Sequence, residues 1–191
     1  MNLYSIGKPI VNVFYHLCFH IEVEGVENIP ERGAVLICCN HRSNFDPPLV
    51  GVSMARDLSF VAKAELFRFR LIGWVFHQVH AFPIKRGTGD RGAIRLAVNL
   101  LRAGHALLIF PEGTRNHTGQ LKKGLSGAGF FALNTDAVVI PCAIIGKYKF
   151  RSRLIVRFGK PIDSTEWKAR RMKAAEASSI IMDHIGQLLG E

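Results

Sequence analysis

"AVLICCNHRSNFDPP" (residues 34–48) runs an apolar stretch, Ala34 to Cys39, straight into Asn40-His41, with Asp46 and two prolines close behind. A short continuous apolar run reads as a strand covered on both faces. Asp46-Pro47 reads as a helix start, with an acceptor at the N-cap and proline at the first helical position. Strand, polar loop and helix in succession are the repeating unit of an α/β sheet.

Working outward, the same alternation covers the chain. A helix is expected at 3–19, with Leu3, Ile6, Ile10, Val13, Phe14, Leu17 and Cys18 on one face, then a strand from His20 to Gly25 and a turn at Pro30 to Gly33. Further strands are expected at Leu58–Ala62, Val79–Ile84, His105–Phe110, Ala137–Ile145 and Leu154–Phe158. Helices are expected at Glu65–His77, at Arg91–Ala103 before Gly104, and at 126–134. Ser164 or Thr165 is expected to cap a last helix whose inner face carries Ala174, Ala177, Ile181, Ile185 and Leu188. The fold class that follows is α/β: a single domain with a central, mostly parallel sheet flanked by helices, plus an N-terminal amphipathic helix.

The 191 residues are enough for one domain with a full core, and 48% hydrophobic against 21% charged residues reads as globular. Twenty-five Lys+Arg against 15 Asp+Glu leave a net charge of +10, which favours an anionic partner. Neither a zinc finger nor an RNP-type aromatic stretch is present, so nucleic acid is not the partner expected. Cys18, Cys38, Cys39 and Cys142 read as reduced core residues, with Cys38 and Cys39 facing opposite ways from their strand. The N-terminal stretch lacks a basic region and a small-residue cleavage site, so no signal peptide is expected. No apolar run reaches the ~18 residues of a spanning helix.

In a parallel sheet, loops leaving the carboxyl ends of the strands gather on one side and form the site. Polar clusters follow four expected strands in this way: "NHRSNFD", Lys63, "KRG" with Arg86, and "PEGTR". His41 and Asp46 have two readings. In one, a neutral imidazole accepts a proton while the carboxylate on its other nitrogen fixes the tautomer. In the other, Asp46 caps its helix and His41 is a polar strand-end residue, and on spacing alone this is the commoner arrangement. A metal site lacks a third ligand, and no metal or cofactor is expected. Ser43 lies two positions from His41 in a tight loop, so no nucleophile stands beside the dyad and the substrate would bring its own hydroxyl.

Lys63, Arg86 and Arg115 each lie just past a strand, where a buried phosphate is held by charge-assisted hydrogen bonds. Singly, each also reads as a solvated charge. Gly113 lets backbone amides approach an anion closely. Glu112 reads equally as a structural partner for one of these cations.

Together these blocks resemble the glycerolipid acyltransferase family, closest to the short bacterial 1-acyl-glycerol-3-phosphate acyltransferases. "NHRSNFD" matches its His-x4-Asp signature, "AFPIKRG" its second block, "FPEGTR" its third and "VVIPCAI" its fourth, in family order over roughly residues 35–145. "FVAKAELF", with Lys63, also resembles the family pattern. The resemblance implies that His41 is the general base on the free hydroxyl of lysophosphatidic acid and that Asp46 orients it. The acyl donor would be acyl-CoA or acyl-carrier protein, with no acyl-enzyme. It also implies acceptor binding by Lys63, Arg86, Glu112, Gly113, Thr114 and Arg115, and shaping of the acyl side by Pro141. Residues 1–22 would then be a membrane-associating helix and 23–191 the acyltransferase domain. His80 and Asn116 depart from the usual pattern without touching the reacting groups, which leaves the acceptor open. Another lysophospholipid, or a non-catalytic lipid- or phosphate-binding domain, are the rival readings. Only an enzyme needs a base paired with Asp46.

Lysophospholipids live in bilayers. The helix at 3–19, with Tyr4, Phe14, Tyr15 and Phe19, is expected to lie on an anionic membrane surface, placing the enzyme peripherally at the cytoplasmic face of the cell membrane. The expected helix at 65–77, with Phe67, Phe69, Trp74, Phe76, Arg68 and Arg70, reads either as a second interfacial helix or as a core helix with two surface arginines.

Overall fold

The apolar run at the centre of the opening stretch becomes β2 (Val35–Cys39), and all five of its residues are buried. A computed structural model describes residues 3–68, 70, 73–74, 81–84, 90–116 and 120–190. Around β2 stand β1 (His20–Glu24), β3 (Leu58–Lys63), β4 (Ala81–Ile84), β5 (Ala106–Ile109), β6 (Val138–Gly146) and β7 (Arg153–Phe158). They form one sheet in the order β1-β7-β6-β2-β5-β3-β4. Five neighbours, β6, β2, β5, β3 and β4, run parallel. β7 is antiparallel to β6, and β1 is parallel to β7.

The helices are α1 (Leu3–Cys18), α2 (Asp46–Val52), α3 (Arg91–Arg102), α4 (Gly127–Asn134), α5 (Thr165–Ala169) and α6 (Ala174–Leu189). Side chains alternate across a strand, so β2 feeds two cores. Leu36 and Cys38 pack with Ala97 and Leu101 of α3, Phe131 of α4 and Ile181 and Ile185 of α6. Val35, Ile37 and Cys39 pack on the other face with Leu49 and Val50 of α2 and Tyr15 of α1. Cys38 and Cys39 therefore point opposite ways, and Cys38, Cys39 and Cys142 are buried free thiols.

Local signals explain the element ends. The Asp90 side chain accepts a hydrogen bond from Ala93 N at 3.1 Å and caps α3. Lys8 of α1 donates from Nζ to the carbonyls of Met54, Ala55 and Arg56 at 2.6, 3.0 and 3.1 Å, satisfying the turn that follows α2 and fastening α1 to it. No described helix is long and apolar enough to cross a membrane.

Three expectations change. The last helix is two helices: α5 ends at Ala169, Arg171 takes a left-handed backbone (φ 52), and Met172 N donates to Trp167 O at 2.9 Å. That is a helix-terminating geometry glycine usually supplies, so its absence hid the break. Where a helix was expected from Glu65, residues Ala64–Arg68 form a 3-10 turn; Arg70, Gly73 and Trp74 are helical, and the remainder of 65–77 lies outside the described residues. Finally, α2 begins at Asp46 itself, with Phe45 at the N-cap position. The Asp46 carboxylate therefore does not cap the helix.

Where α4 crosses α6, Gly129 allows the backbones to touch. A Cβ there would lie 2.0 Å from Ala174 O and 2.8 Å from Ser178 N. Glycine to alanine in a helix ordinarily stabilises by about 1 kcal/mol. Gly129→Ala is expected to do the reverse, costing about 2 kcal/mol by overpacking and lowering the melting temperature by roughly 4–8 °C. A circular-dichroism melt unchanged from the parent would contradict this packing.

Candidate active site

The site begins where β2 ends. Asn40, buried, continues the pairing of β2 with β6 through its side-chain amide: Oδ1 accepts from Ile144 N at 2.8 Å and Nδ2 donates to Ile144 O at 3.1 Å. This fixes the chain direction one residue before His41. His41 is 6% exposed, and its ring lies stacked on Phe110, with centroids 3.9 Å apart and planes at 16°. Its Nδ1 is 2.8 Å from Asp46 Oδ2. A carboxylate only accepts, so Nδ1 carries the proton and Nε2 presents its lone pair. Nε2 has no hydrogen-bond partner among the described residues.

Asp46 has no solvent exposure. A carboxylate so placed keeps its charge only if donors replace water. Oδ2 accepts from Arg42 N (2.6 Å) and Ser43 N (2.7 Å) as well as from His41. Oδ1 accepts from the Tyr148 hydroxyl at 2.6 Å. The carboxylate thus faces back along its own loop and closes residues 41–46 into a ring. The Ser43 hydroxyl accepts from Phe45 N at 3.2 Å, turned into the same loop. Burial pushes the Cys39 thiol upward, so it is no thiolate nucleophile.

The loop after β5 holds His41 from the other side. Glu112, buried, accepts at Oε1 from His41 N at 2.9 Å, and at Oε2 from Asn116 Nδ2 at 3.0 Å and Lys122 N at 3.2 Å. Asn116 N donates to His41 O at 2.7 Å. Both backbone groups of His41 are therefore held by the Glu112–Asn116 turn. The described residues give Glu112 these partners, which make it a clamp on the backbone of His41, and no cationic side chain; the pairing with Arg86 weighed from sequence lies outside the described residues. Gly113 is left-handed (φ 69), and a Cβ there would come within 2.4 Å of Leu125 Cδ1. Thr114 and Arg115 are exposed directly beside the clamp. Lys63 is exposed at the carboxyl end of β3, and Arg86, like His80, lies outside the described residues. Strand order sets these loops side by side: β2 bears the dyad, β5 bears Glu112 to Arg115, then comes β3 with Lys63.

On the opposite flank stand aromatic groups. Tyr15 of α1 donates to Phe45 O at 2.6 Å. Phe19 and Phe45 pack against Tyr148, with centroids 5.7 and 5.8 Å away. Ile10, Val13, Phe14 and Leu17 of α1 stay exposed, Leu17 at 72%. Sequence reasoning missed Tyr148, Phe110 as a ring support, and the clamp made by Asn116. The strand-end rule, applied to β6 as it was to four other strands, points at Lys147-Tyr148. Among the described residues, no group of three or more His, Cys, Asp or Glu side chains is placed to hold a metal ion.

The arrangement is an imidazole tied at Nδ1 to a buried carboxylate, with Nε2 unbonded and no serine or cysteine side chain hydrogen-bonded to it among the described residues. The chain is 30% identical over 146 residues to a 1-acyl-sn-glycerol-3-phosphate acyltransferase of Bacillus subtilis, covering 75% of this chain and 72% of the relative. It is 30% identical over 165 residues to one of Streptococcus pneumoniae, covering 82% and 58%. Against the chloroplastic LPAT1 acyltransferase of Arabidopsis thaliana it is 26% identical, spanning 75% of this chain but only 41% of that protein. The crystal structure of the 1-acyl-sn-glycerophosphate acyltransferase PlsC from Thermotoga maritima shares the fold, with a TM-score of 0.75 at 22% identity, covering 98% of this chain and 81% of that one. The Acyltransferase family model matches residues 20–145, and the chain belongs to that family.

Proposed function

We propose that the protein moves a fatty acyl group from acyl-CoA or acyl-carrier protein to the free hydroxyl of 1-acyl-glycerol-3-phosphate, giving phosphatidic acid. The observation that carries this is the dyad itself, a buried His41–Asp46 pair with Nε2 open and no nucleophile beside it. Relatives bearing that activity in their names support the choice of acceptor.

In this reading His41 Nε2 takes the hydroxyl proton as the acceptor oxygen attacks the thioester carbonyl. The tetrahedral intermediate collapses, the C–S bond breaks, and the departing sulfur takes the proton back from the imidazolium. Asp46 holds the tautomer and offsets the positive charge formed on the ring. Arg115, with Lys63 and Arg86, receives the acceptor phosphate, and the turn at Gly113 and Thr114 lets backbone approach it. Glu112 serves acceptor binding by holding that turn against His41. The exposed apolar face of α1 rests on an anionic membrane at its cytoplasmic side, where both donors are found. Phe150, 71% exposed between Lys149 and Arg151, adds to that surface, since Arg151 N is bonded to Cys18 O at the end of α1.

His41→Ala is expected to lower kcat/KM by about a thousandfold while the circular-dichroism spectrum is kept, and Asp46→Asn by about a hundredfold. Turnover retained by folded His41→Ala, assayed with lysophosphatidic acid and paired acyl-CoA and acyl-carrier donors, would sink the mechanism. Arg115→Ala should raise the acceptor KM about tenfold with kcat nearly kept, because phosphate binding is shared by ground and transition states. A loss confined to kcat would remove Arg115 from the phosphate site. Leu17→Glu is expected to weaken co-sedimentation with anionic vesicles while sparing turnover of a short-chain, water-soluble acceptor. Undiminished vesicle binding would move the membrane contact elsewhere.

A further inference from the structure

Tyr148 lies outside every sequence block that marks the site, yet it completes the shell of Asp46. It follows Gly146, the last residue of β6, whose backbone is left-handed (φ 112) and where a Cβ would meet Arg153 O at 2.3 Å. No other residue type fits that turn without strain. The turn swings Tyr148 back over the neighbouring β2 loop. Its ring is held between Phe19, edge-on at 86°, and Phe45, and its hydroxyl is the donor to Asp46 Oδ1 among the described residues. The other carboxylate oxygen has three donors, all from residues 41–43.

We propose that Tyr148 is a positioning residue for acyl transfer: its hydroxyl anchors Asp46 Oδ1, so that Oδ2 faces His41 in line and carries a moderated share of the charge. The proposal rests on the reading of His41 as the base. The titratable groups facing Asp46 are His41 on its own loop, Tyr15 from α1, Cys39 from β2 and Tyr148 beyond β6. Burial above all, and then the charge of Asp46 itself, pushes both phenols well above the ordinary tyrosine range. Burial pushes the Cys39 thiol up as well. These three groups stay neutral wherever an imidazole titrates, so Tyr148 remains a donor there and never competes as a base. Glu112 meets His41 at its backbone N–H, away from the ring edge that faces Asp46.

Tyr148→Phe removes the hydroxyl and leaves the ring in its nest. Loss of one charge-assisted hydrogen bond is expected to lower kcat about tenfold, with the acceptor KM changed less than about twofold. The acid limb of the kcat/KM profile should move to higher pH. Stripped of its Oδ1 donor, Asp46 gathers charge at Oδ2, and this favours both the imidazolium and the protonated carboxyl over the working pair. Phe19→Leu, which loosens the ring nest and keeps the hydroxyl, should lower thermal stability without moving the acid limb.

A second readout needs no turnover. The hydrogen-bonded Nδ1 proton of His41, assigned by its absence in His41→Ala, should shift further downfield in substrate-free Tyr148→Phe. If that resonance moves while His41→Ala still turns over, the base reading fails and the anchoring of Asp46 stands. A Tyr148→Phe protein with parental turnover overturns the proposal. So does one whose loss equals its loss of folded protein, with resonance and acid limb unmoved.

Discussion

A carboxylate sealed from water survives as an anion only where donors surround it, and Asp46 draws its donors from two distant parts of the chain. Three come from the loop it terminates, and one crosses from the far end of β6, 102 positions away in sequence. The β2–β6 pairing and the dyad are therefore tied together by shared hydrogen bonds. The amide of Asn40 makes the same link at the backbone level, locking β6 against β2 just before His41. Removing one donor leaves the others in place, but removing the sheet pairing would leave a buried charge without enough partners, which no small domain tolerates cheaply.

The sheet order divides the labour around this centre. From β2 toward β5 and β3 the strand ends carry Arg115 and Lys63, with the Glu112 clamp holding the turn in place. From β2 toward β6 and α1 they carry Tyr148, Phe45, Phe19 and Tyr15. A cationic flank and an aromatic flank thus meet at the imidazole. A lipid with a charged head and an apolar tail has the complementary division. Helix α1 belongs to the aromatic flank by its buried residues and leaves Ile10, Val13, Phe14 and Leu17 outside. One helix therefore serves both as a wall of the site and as an apolar outer face.

Much of this was legible in residue order because it is governed by local periodicity. The run Ala34 to Cys39 announces a doubly covered strand, Gly104 announces the end of the helix before it, and polar residues after the apolar runs announce the functional edge. What was not legible depends on directions that sequence does not encode. An aspartate just before proline looks the same whether its carboxylate points forward into the helix or backward to His41, and here it points backward. Glu112 among cations invites an ion pair, yet the partners described for it are the backbone amides of His41 and Lys122 and the side-chain amide of Asn116, which only the folded turn brings to it. Tyr148 is one aromatic residue in a mixed basic loop, and only the adjacency of β6 and β2 gives it meaning. The break before α6 is invisible for a simpler reason, since Arg171 occupies a conformation that usually calls for glycine.

The stack of His41 on Phe110 has a kinetic corollary. With one face covered by an aromatic ring and Nδ1 tied to a carboxylate, the imidazole is held in one orientation. It has a single proton port. On the proposed chemistry, the acceptor oxygen that gives up a proton and the sulfur that later receives it must both come within reach of that one nitrogen. On that chemistry no covalent intermediate stores the acyl group in between. Donor and acceptor must therefore occupy the site together, and initial-rate plots should intersect as they do for a ternary complex, without the parallel lines of a ping-pong exchange.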